Sequence, residues 1–222
     1  MDKLLIVANL KSYKTKIEAK EWLDAFTKIK EIEDSLNDRE IIICPPFQLL
    51  FMFDSYAKDK LLPIKIGAQN VSPFDEGAYT GEVNAKQIKD YAEYVLIGHS
   101  ERRNNFGETD DMLFKKTELV LEYGLTPIFL VQEKDTPIPG RVEVIAYEPI
   151  FAIGSGNPDT PENAAQIASS IKSGNDTYKI LYGGSVTSEN VKNFTKMPNI
   201  GGVLVGGASL DPEEFIKIIH NA

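Results

Sequence analysis

Residues Ala146 to Gly156 read AYEPIFAIGSG, and this stretch determines how the rest of the chain is interpreted. The apolar run that ends at Tyr147 is typical of a buried strand, and Pro149 ends it because proline lacks a backbone N–H and has a fixed φ. Glu148 therefore lies at the carboxyl tip of a strand, followed by the apolar segment Ile150 to Ile153. A carboxylate held beneath an apolar flap suits proton abstraction away from water. The simpler alternative is an ordinary turn between a strand and a helix.

Short apolar runs alternate with amphipathic stretches along all 222 residues. Repeated β–α units with eight strands buried on both faces favour a closed parallel barrel over an open sheet. No linker or low-complexity segment divides the chain, so the sequence predicts one domain over residues 1–222. The longest helix is predicted at 16–36, where Trp22, Phe26 and Ile29 recur at helical spacing. The strands are predicted at residues 4–8, 41–44, 65–68, 94–98, 126–131, 143–147, 179–182 and 202–205.

One unit departs from the repeat. About a dozen residues separate Val131 from Glu143, and they include Pro137, Pro139 and Gly140. Because proline and glycine disfavour helix interiors, the crossover between strands five and six is predicted to be an extended loop. That flank of the barrel would then lack its helix. We expect a partly exposed apolar stripe there, covered by the loop or by another subunit.

Composition excludes several classes of function. The net charge of −9 and the pI of about 4.9 argue against broad binding to nucleic acid or to anionic membranes. No apolar run approaches the roughly 20 residues of a membrane span, and Met1 to Lys3 lead directly into a strand without a signal-peptide pattern. The single cysteine, Cys44, is predicted to be a buried core thiol in a reducing cytoplasm. With His99 and His220 as the two histidines, no transition-metal site is expected.

Polar and glycine residues follow the predicted strands. The carboxyl ends of the strands form the working face of such a barrel. That face would therefore carry a cation, a histidine, a carboxylate and two glycine turns, a combination suited to acid–base chemistry on a phosphorylated carbonyl compound. The residues at these strand ends are Asn9, Lys11, Gln69, Asn70, His99, Ser100, Glu101, Glu148, Gly183, Gly184, Ser185, Gly206 and Gly207.

Seven stretches, in order and spread over nearly the whole chain, resemble the triosephosphate isomerase family. Each is modest by itself, and together they are specific. The resemblance implies a (β/α)8 TIM barrel that interconverts dihydroxyacetone phosphate and D-glyceraldehyde 3-phosphate through an enediolate, without a cofactor. The stretches are Asn9–Lys11 (NLK), Cys44–Phe47 (CPPF), Gly67–Asn70 (GAQN), Gly98–Arg103 (GHSERR), Ala146–Gly156, Tyr182–Val186 (YGGSV) and Gly206–Leu210 (GGASL).

The resemblance assigns roles to four residues. Glu148 would be the base, and His99 a neutral electrophile that donates a hydrogen bond to the carbonyl oxygen. The family is an established example of enzymes that tune the pKa values of such a carboxyl and imidazole, so both roles are taken from the family. A helical turn starting at Ser100 would also disfavour an imidazolium at His99. Lys11 would attract the phosphate and stabilise oxyanion charge, and Asn9 would position the oxygen. Taken alone, His99 could equally be a satisfied strand-end histidine, and Lys11 a solvated surface lysine.

The resemblance also implies a phosphate site on backbone N–H groups of Gly154, Ser185, Gly206 and Gly207, although such glycines also occur in ordinary turns. Glu101 would pair with Lys11, with Arg102 or Arg103 as alternative partners. Ile150 to Gly156 would be the lid, with Phe151 where the family usually has tryptophan. The family's Cys-Ile-Gly-Glu after strand five appears here as Leu130 to Glu133, LVQE.

Residues Gln69 to Gly81 resemble the family's interdigitating loop, in which Thr80 would reach the site of a partner subunit. At least a homodimer is therefore predicted, and the missing helix leaves a tetramer open. Three rival functions remain. An aldolase would need a Schiff-base lysine on an inner strand, and strands five to seven offer none. A metal-dependent epimerase would need more His and Asp ligands than the strand ends supply. A catalytically silent binding protein would have kept the fold alone.

Overall fold

A computed structural model describes residues 3–222; Met1 and Asp2, which the sequence interpretation placed ahead of the first strand, lie outside the described residues. All eight predicted strands form, and they close into one parallel barrel in the order β1 to β8. β8 pairs with β1 to complete the ring. The barrel prediction is therefore confirmed. The strands are β1 Leu4–Asn9, β2 Arg39–Cys44, β3 Ile64–Ala68, β4 Tyr94–Ile97, β5 Thr126–Val131, β6 Val144–Tyr147, β7 Lys179–Tyr182 and β8 Ile200–Val205.

Alternate side chains of the strands divide the core into two layers. The inward residues fill the barrel, and the outward ones pack beneath the helices. Cys44 is fully buried in the inner layer, as predicted, and burial raises the pKa of its thiol. Gly202 allows the closing contact, since a Cβ there would lie 2.0 Å from the carbonyl oxygen of Leu5. The inner layer contains Leu5, Val7, Ile42, Cys44, Leu96, Ile128, Leu130, Val144, Ala146, Leu181 and Leu204.

Helices follow most strands, and the longest of those described, α5, has 13 residues. None of the described helices is long and apolar enough to span a bilayer. Short 3-10 turns at Phe47–Leu49, Ile150–Ala152 and Gly207–Leu210 precede α2, α6 and α8. The α-helices are α1 Lys16–Phe26, α2 Leu50–Lys60, α3 Ala85–Ile88, α4 Ser100–Phe106, α5 Asp110–Glu122, α6 Pro161–Lys172, α7 Val191–Thr195 and α8 Pro212–Asn221.

The single helix predicted over 16–36 was wrong in its second half. α1 ends at Phe26, and residues Thr27–Ser35 form a 3-10 segment instead. The apolar residues here, Phe26, Ile29 and Ile32, recur every three residues. That spacing matches the three residues per turn of a 3-10 helix, so the tighter winding keeps all three on the core side.

The crossover between β5 and β6 contains no helix, as predicted. The expected exposed apolar stripe, however, is absent from the described strands. Phe129, Val131 and Ile145, which face outward, are completely buried. The loop takes part in the packing, because Val142 belongs to the same core cluster and Ile138 packs against that cluster. These outward side chains are buried within the single chain, so a second subunit is not needed to cover them.

Candidate active site

The carboxyl ends of β1, β4, β6, β7 and β8 surround one cavity of about 380 Å³. Parallel closure of the barrel places all these ends at the same rim, so residues far apart in sequence meet there. All eight residues assigned catalytic or phosphate-binding roles from the sequence line this cavity: Asn9, Lys11, His99, Glu148, Gly154, Ser185, Gly206 and Gly207. The structure thus brings the predicted catalytic and phosphate-binding sets together.

Glu148 directly follows β6, and its side chain is 2% exposed. Its Oε2 accepts the N–H of Ser100 at 3.0 Å and the amide of Gln132 at 3.4 Å. Burial raises the pKa of the carboxyl to about 7, and the hydrogen bond from Ser100 only partly opposes that rise. Glu148 is therefore a carboxylate whose basicity at neutral pH is well above that of a solvated one.

His99 occupies the N-cap of α4, and its Nδ1 accepts the N–H of Glu101 at 3.2 Å. Because Nδ1 is an acceptor, the neutral ring carries its proton on Nε2. Burial is the main cause that lowers the pKa of His99 to about 4, and the nearby charge of Lys11 acts in the same direction. The imidazole is therefore uncharged at neutral pH.

The base and the imidazole face each other. Nε2 of His99 lies 3.0 Å from Oε1 of Glu148, and both groups line the cavity. Burial shifts their pKa values in opposite directions, because it disfavours the charged form of each. A small carbonyl compound in this cavity can therefore meet a hydrogen-bond donor and a proton acceptor together.

Lys11 and Asn9 follow β1. Lys11 has a backbone φ of 51°, an uncommon value for a residue other than glycine. Two contacts hold its backbone: its N–H donates to Asn9 Oδ1 at 3.0 Å, and Gln69 Nε2 donates to its carbonyl at 2.9 Å. The Nζ atom forms the predicted ion pair with Glu101. Among the described residues that line the cavity, Lys11 is the only cation.

Two glycine turns form the other side of the cavity, after β7 and β8. A Cβ on Gly184 would lie 2.7 Å from the hydroxyl of Tyr182, and one on Gly206 would lie 3.3 Å from Cε of Lys11. Gly207 has no atom within 4 Å of the corresponding position, so the backbone there is open to a ligand. Glycine at these turns lets the backbone approach an anion.

The segment predicted to be the lid, Ile150 to Gly156, begins with two exposed apolar side chains. Ile150 and Phe151 are 57% and 62% exposed, whereas Ala152 is buried. The Ser185 hydroxyl donates to the Ala152 carbonyl at 2.6 Å, which fixes the base of the lid to the loop after β7. The exposed pair therefore lies next to a segment that is fixed to the barrel rim.

The structure leaves one predicted role untested and adds one contact that the sequence did not predict. Thr80 is exposed and lies outside the cavity of its own chain, so its role in a partner's site stays a prediction. Gln132 touches Glu148, although sequence reasoning noted it only as a departure from the family pattern. Its place directly after β5, on the same rim, was the available indication.

Among the described residues, no group of three or more His, Cys, Asp and Glu side chains is arranged to hold a metal ion.

Comparison with known proteins gives one consistent result. A sequence model of the family described as Triosephosphate isomerase matches residues 4–138 and 140–222. The triosephosphate isomerase of Dictyoglomus turgidum is 39% identical over 254 residues, covering 100% of both chains. Those of Aquifex aeolicus and Trichodesmium erythraeum are each 39% identical, over 98% and 99% of both chains. The span of 254 residues exceeds the 222 of this chain, so the first relative carries residues that this chain lacks.

The raised pKa of Glu148 predicts a pH-dependent cost in stability. Between about 4.5, the ordinary value, and about 7, the folded protein keeps a proton that the unfolded chain has lost, so stability falls as pH rises through this range. Relative to Glu148→Gln, the wild-type free energy of unfolding should fall by about 2 kcal/mol between about pH 5 and 8. Urea unfolding of both proteins measures it. A wild-type free energy of unfolding that stays constant or rises with pH relative to that of Glu148→Gln would contradict the assignment.

Proposed function

This chain belongs to the triosephosphate isomerase family, and from that premise we propose that Glu148, His99, Lys11 and Asn9 are its catalytic residues. The reaction interconverts dihydroxyacetone phosphate and D-glyceraldehyde 3-phosphate by proton transfer through an enediolate, a step of glycolysis and gluconeogenesis. The observation that supports the residue assignment is the distance of 3.0 Å between Nε2 of His99 and Oε1 of Glu148 in a buried site.

Glu148 takes the proton from the carbon next to the carbonyl group and returns it to the neighbouring carbon. A base works best when its pKa lies near the working pH, and burial brings the pKa of this carboxyl to about 7. The same carboxyl group can then give the proton back, because its protonated form is also accessible at that pH. One residue thus serves both directions of the isomerisation.

His99 donates its Nε2–H to the substrate oxygen that becomes negative in the enediolate. The N–H of Glu101 at Nδ1 holds the ring in the tautomer that this requires. With its pKa lowered to about 4, the ring acts as a neutral donor. Lys11 adds a positive charge beside the same oxygen and the phosphate. The side-chain Oδ1 of Asn9 accepts the backbone N–H of Lys11, which leaves the side-chain NH2 of Asn9 to position the substrate.

The substrate phosphate rests on backbone N–H groups of Gly154, Ser185, Gly206 and Gly207. This assignment is supported by their position in the cavity that holds Glu148, with the lid glycine above and the two strand-end turns beside it. Backbone donors suit a chain of net charge −9, because they bind an anion without an added cation. Closure of Ile150 and Phe151 over the phosphate then excludes water from the enediolate.

We further propose a homodimer located in the cytoplasm. Phe74 and Tyr79 stack with ring centroids 4.3 Å apart, yet they are 43% and 44% exposed on the loop that carries Thr80. A recess of about 290 Å³ beside Lys11 and Glu101 could receive that loop from a partner. Because the β5–β6 flank is covered by its own chain, the dimer is favoured over the tetramer. The buried single thiol of Cys44 suits a reducing compartment.

Replacing the base tests the catalytic assignment. Glu148→Gln should lower kcat by about 10³-fold in a coupled isomerisation assay, since general-base catalysis contributes about 10² to 10⁴. The matched control is Glu118→Gln on the exposed face of α5, which should keep wild-type activity. A chelator should not change the isomerisation rate of the wild type or of either variant. Wild-type protein without turnover that still binds a phosphate ligand tightly would indicate a silent binding protein instead.

Loss of the protruding aromatic pair tests the dimer. The wild type should sediment as a dimer at micromolar concentration, whereas the double variant Phe74→Ser, Tyr79→Ser should sediment as a monomer with reduced kcat. Leu61→Ser, which removes an even more exposed apolar side chain at the end of α2, serves as the control. A wild type that is monomeric and fully active would refute the proposal.

A further inference from the structure

The amide of Gln132 lies between the two strands that carry the base and the imidazole. Gln132 directly follows β5, whose neighbours in the barrel are β4 and β6. Its Nε2 lies 3.3 Å from the carbonyl oxygen of Gly98, the residue before His99, and 3.4 Å from Oε2 of Glu148. A primary amide has two N–H groups, so one side chain can donate to both oxygens.

This bridge lies in a stretch where the chain departs from the sequence that the resemblance leads one to expect. The pattern after strand five is Cys-Ile-Gly-Glu, and the residues here are Leu130-Val131-Gln132-Glu133. Glycine, which has no side-chain donor, is replaced by a residue that reaches the catalytic carboxylate. The roles assigned above to Glu148 and His99 do not explain why an amide stands at this position.

We propose that Gln132 is a positioning residue for the proton transfer, because its amide fixes the carboxylate of Glu148 relative to the strand that carries His99. The inference rests on the proposed function, since it concerns the base of that reaction. Oε2 is held from two directions, by the N–H of Ser100 on the α4 side and by Gln132 on the β5 side. Oε1 is left facing Nε2 of His99 and the cavity. The hydrogen bonds therefore select which oxygen is presented to the substrate.

The charged groups around Glu148 favour a hydrogen-bond donor without a charge at the position of Gln132. Its charged and titratable neighbours are His99, Glu101 and Lys11, while β5 contributes the neutral Gln132 and the turn after β7 contributes Gly183. Burial raises the pKa of the carboxyl, Lys11 lowers it and Glu101 raises it. The Gln132 amide stabilises the ionised form without adding a charge that would compete with Lys11 for the substrate phosphate.

The test replaces Gln132 by methionine, which keeps the length of the side chain and removes its donors. A cavity of about 370 Å³ borders Gln132 on its other side, so the methionine has room to pack. Gln166→Met on the exposed surface of α6 makes the same chemical change away from the site. Gln132→Glu is the third protein, because a carboxylate at this position opposes the ionisation of Glu148. Circular dichroism and thermal melting establish that each variant is folded.

Two readouts are needed. The first is the titration of the Glu148 carboxyl carbon by 13C NMR in the free protein, assigned with Glu148→Gln. Its midpoint should move upward by about half a pH unit or more in Gln132→Met and further in Gln132→Glu. The second is the coupled assay at neutral pH, in which kcat should fall about three- to tenfold in Gln132→Met, with KM changed less than about twofold. Gln166→Met should match the wild type in both.

The outcomes separate this inference from the proposed function. If the wild type isomerises triose phosphates but Gln132→Met keeps both the midpoint and kcat, Gln132 is not a positioning residue. A midpoint that moves while kcat stays constant also overturns the proposal, since the contact would then have no catalytic effect. If the wild type does not isomerise these substrates, the proposed function fails, and this inference fails with it even though the NMR titration still reports the contact.

Discussion

The whole site depends on one buried carboxylate held at the rim of a closed barrel. Burying Glu148 is costly unless the group is hydrogen-bonded, and the structure meets that need with the N–H of Ser100 and the amide of Gln132. What remains of the cost appears as a pKa of about 7. The stability lost at neutral pH thus has the same origin as the basicity that the proposed role of Glu148 requires. Moving this carboxylate into solvent would remove both.

The barrel makes this arrangement possible because it brings distant strands to one rim. Closure between β8 and β1 sets Lys11 beside Gly206, and the pairing of β5 with β4 and β6 places Gln132 between both catalytic strands. The scaffold tolerates the loss of a helix after β5, since the outward side chains of β5 and β6 remain buried and the loop residues Ile138 and Val142 join the core packing. The shortened crossover therefore leaves the rim intact, and the residue that opens it, Gln132, contacts Glu148, the proposed base.

Much of this could be predicted from the sequence, because eight apolar runs buried on both faces have few other arrangements. Proline and glycine content gave the missing helix, and family motifs gave Glu148, His99 and Lys11. Other features depend on three-dimensional packing. The 3-10 segment at Thr27–Ser35 was missed, because its three-residue apolar spacing resembles helical spacing over a short window. The covering of the β5–β6 flank depended on where Ile138 and Val142 fold back. The contact of Gln132 required the distance across the rim.

The central claim is that an uncharged imidazole faces a basic carboxylate. A 15N NMR titration of the His99 ring between about pH 5 and 8 tests it most directly, because the two ring nitrogens have distinct shifts in each protonation state. The ring should stay neutral with its proton on Nε2 throughout, since burial lowers the pKa of His99 to about 4. A ring that becomes imidazolium near the ordinary value of 6.5, or that carries its proton on Nδ1, would contradict the account.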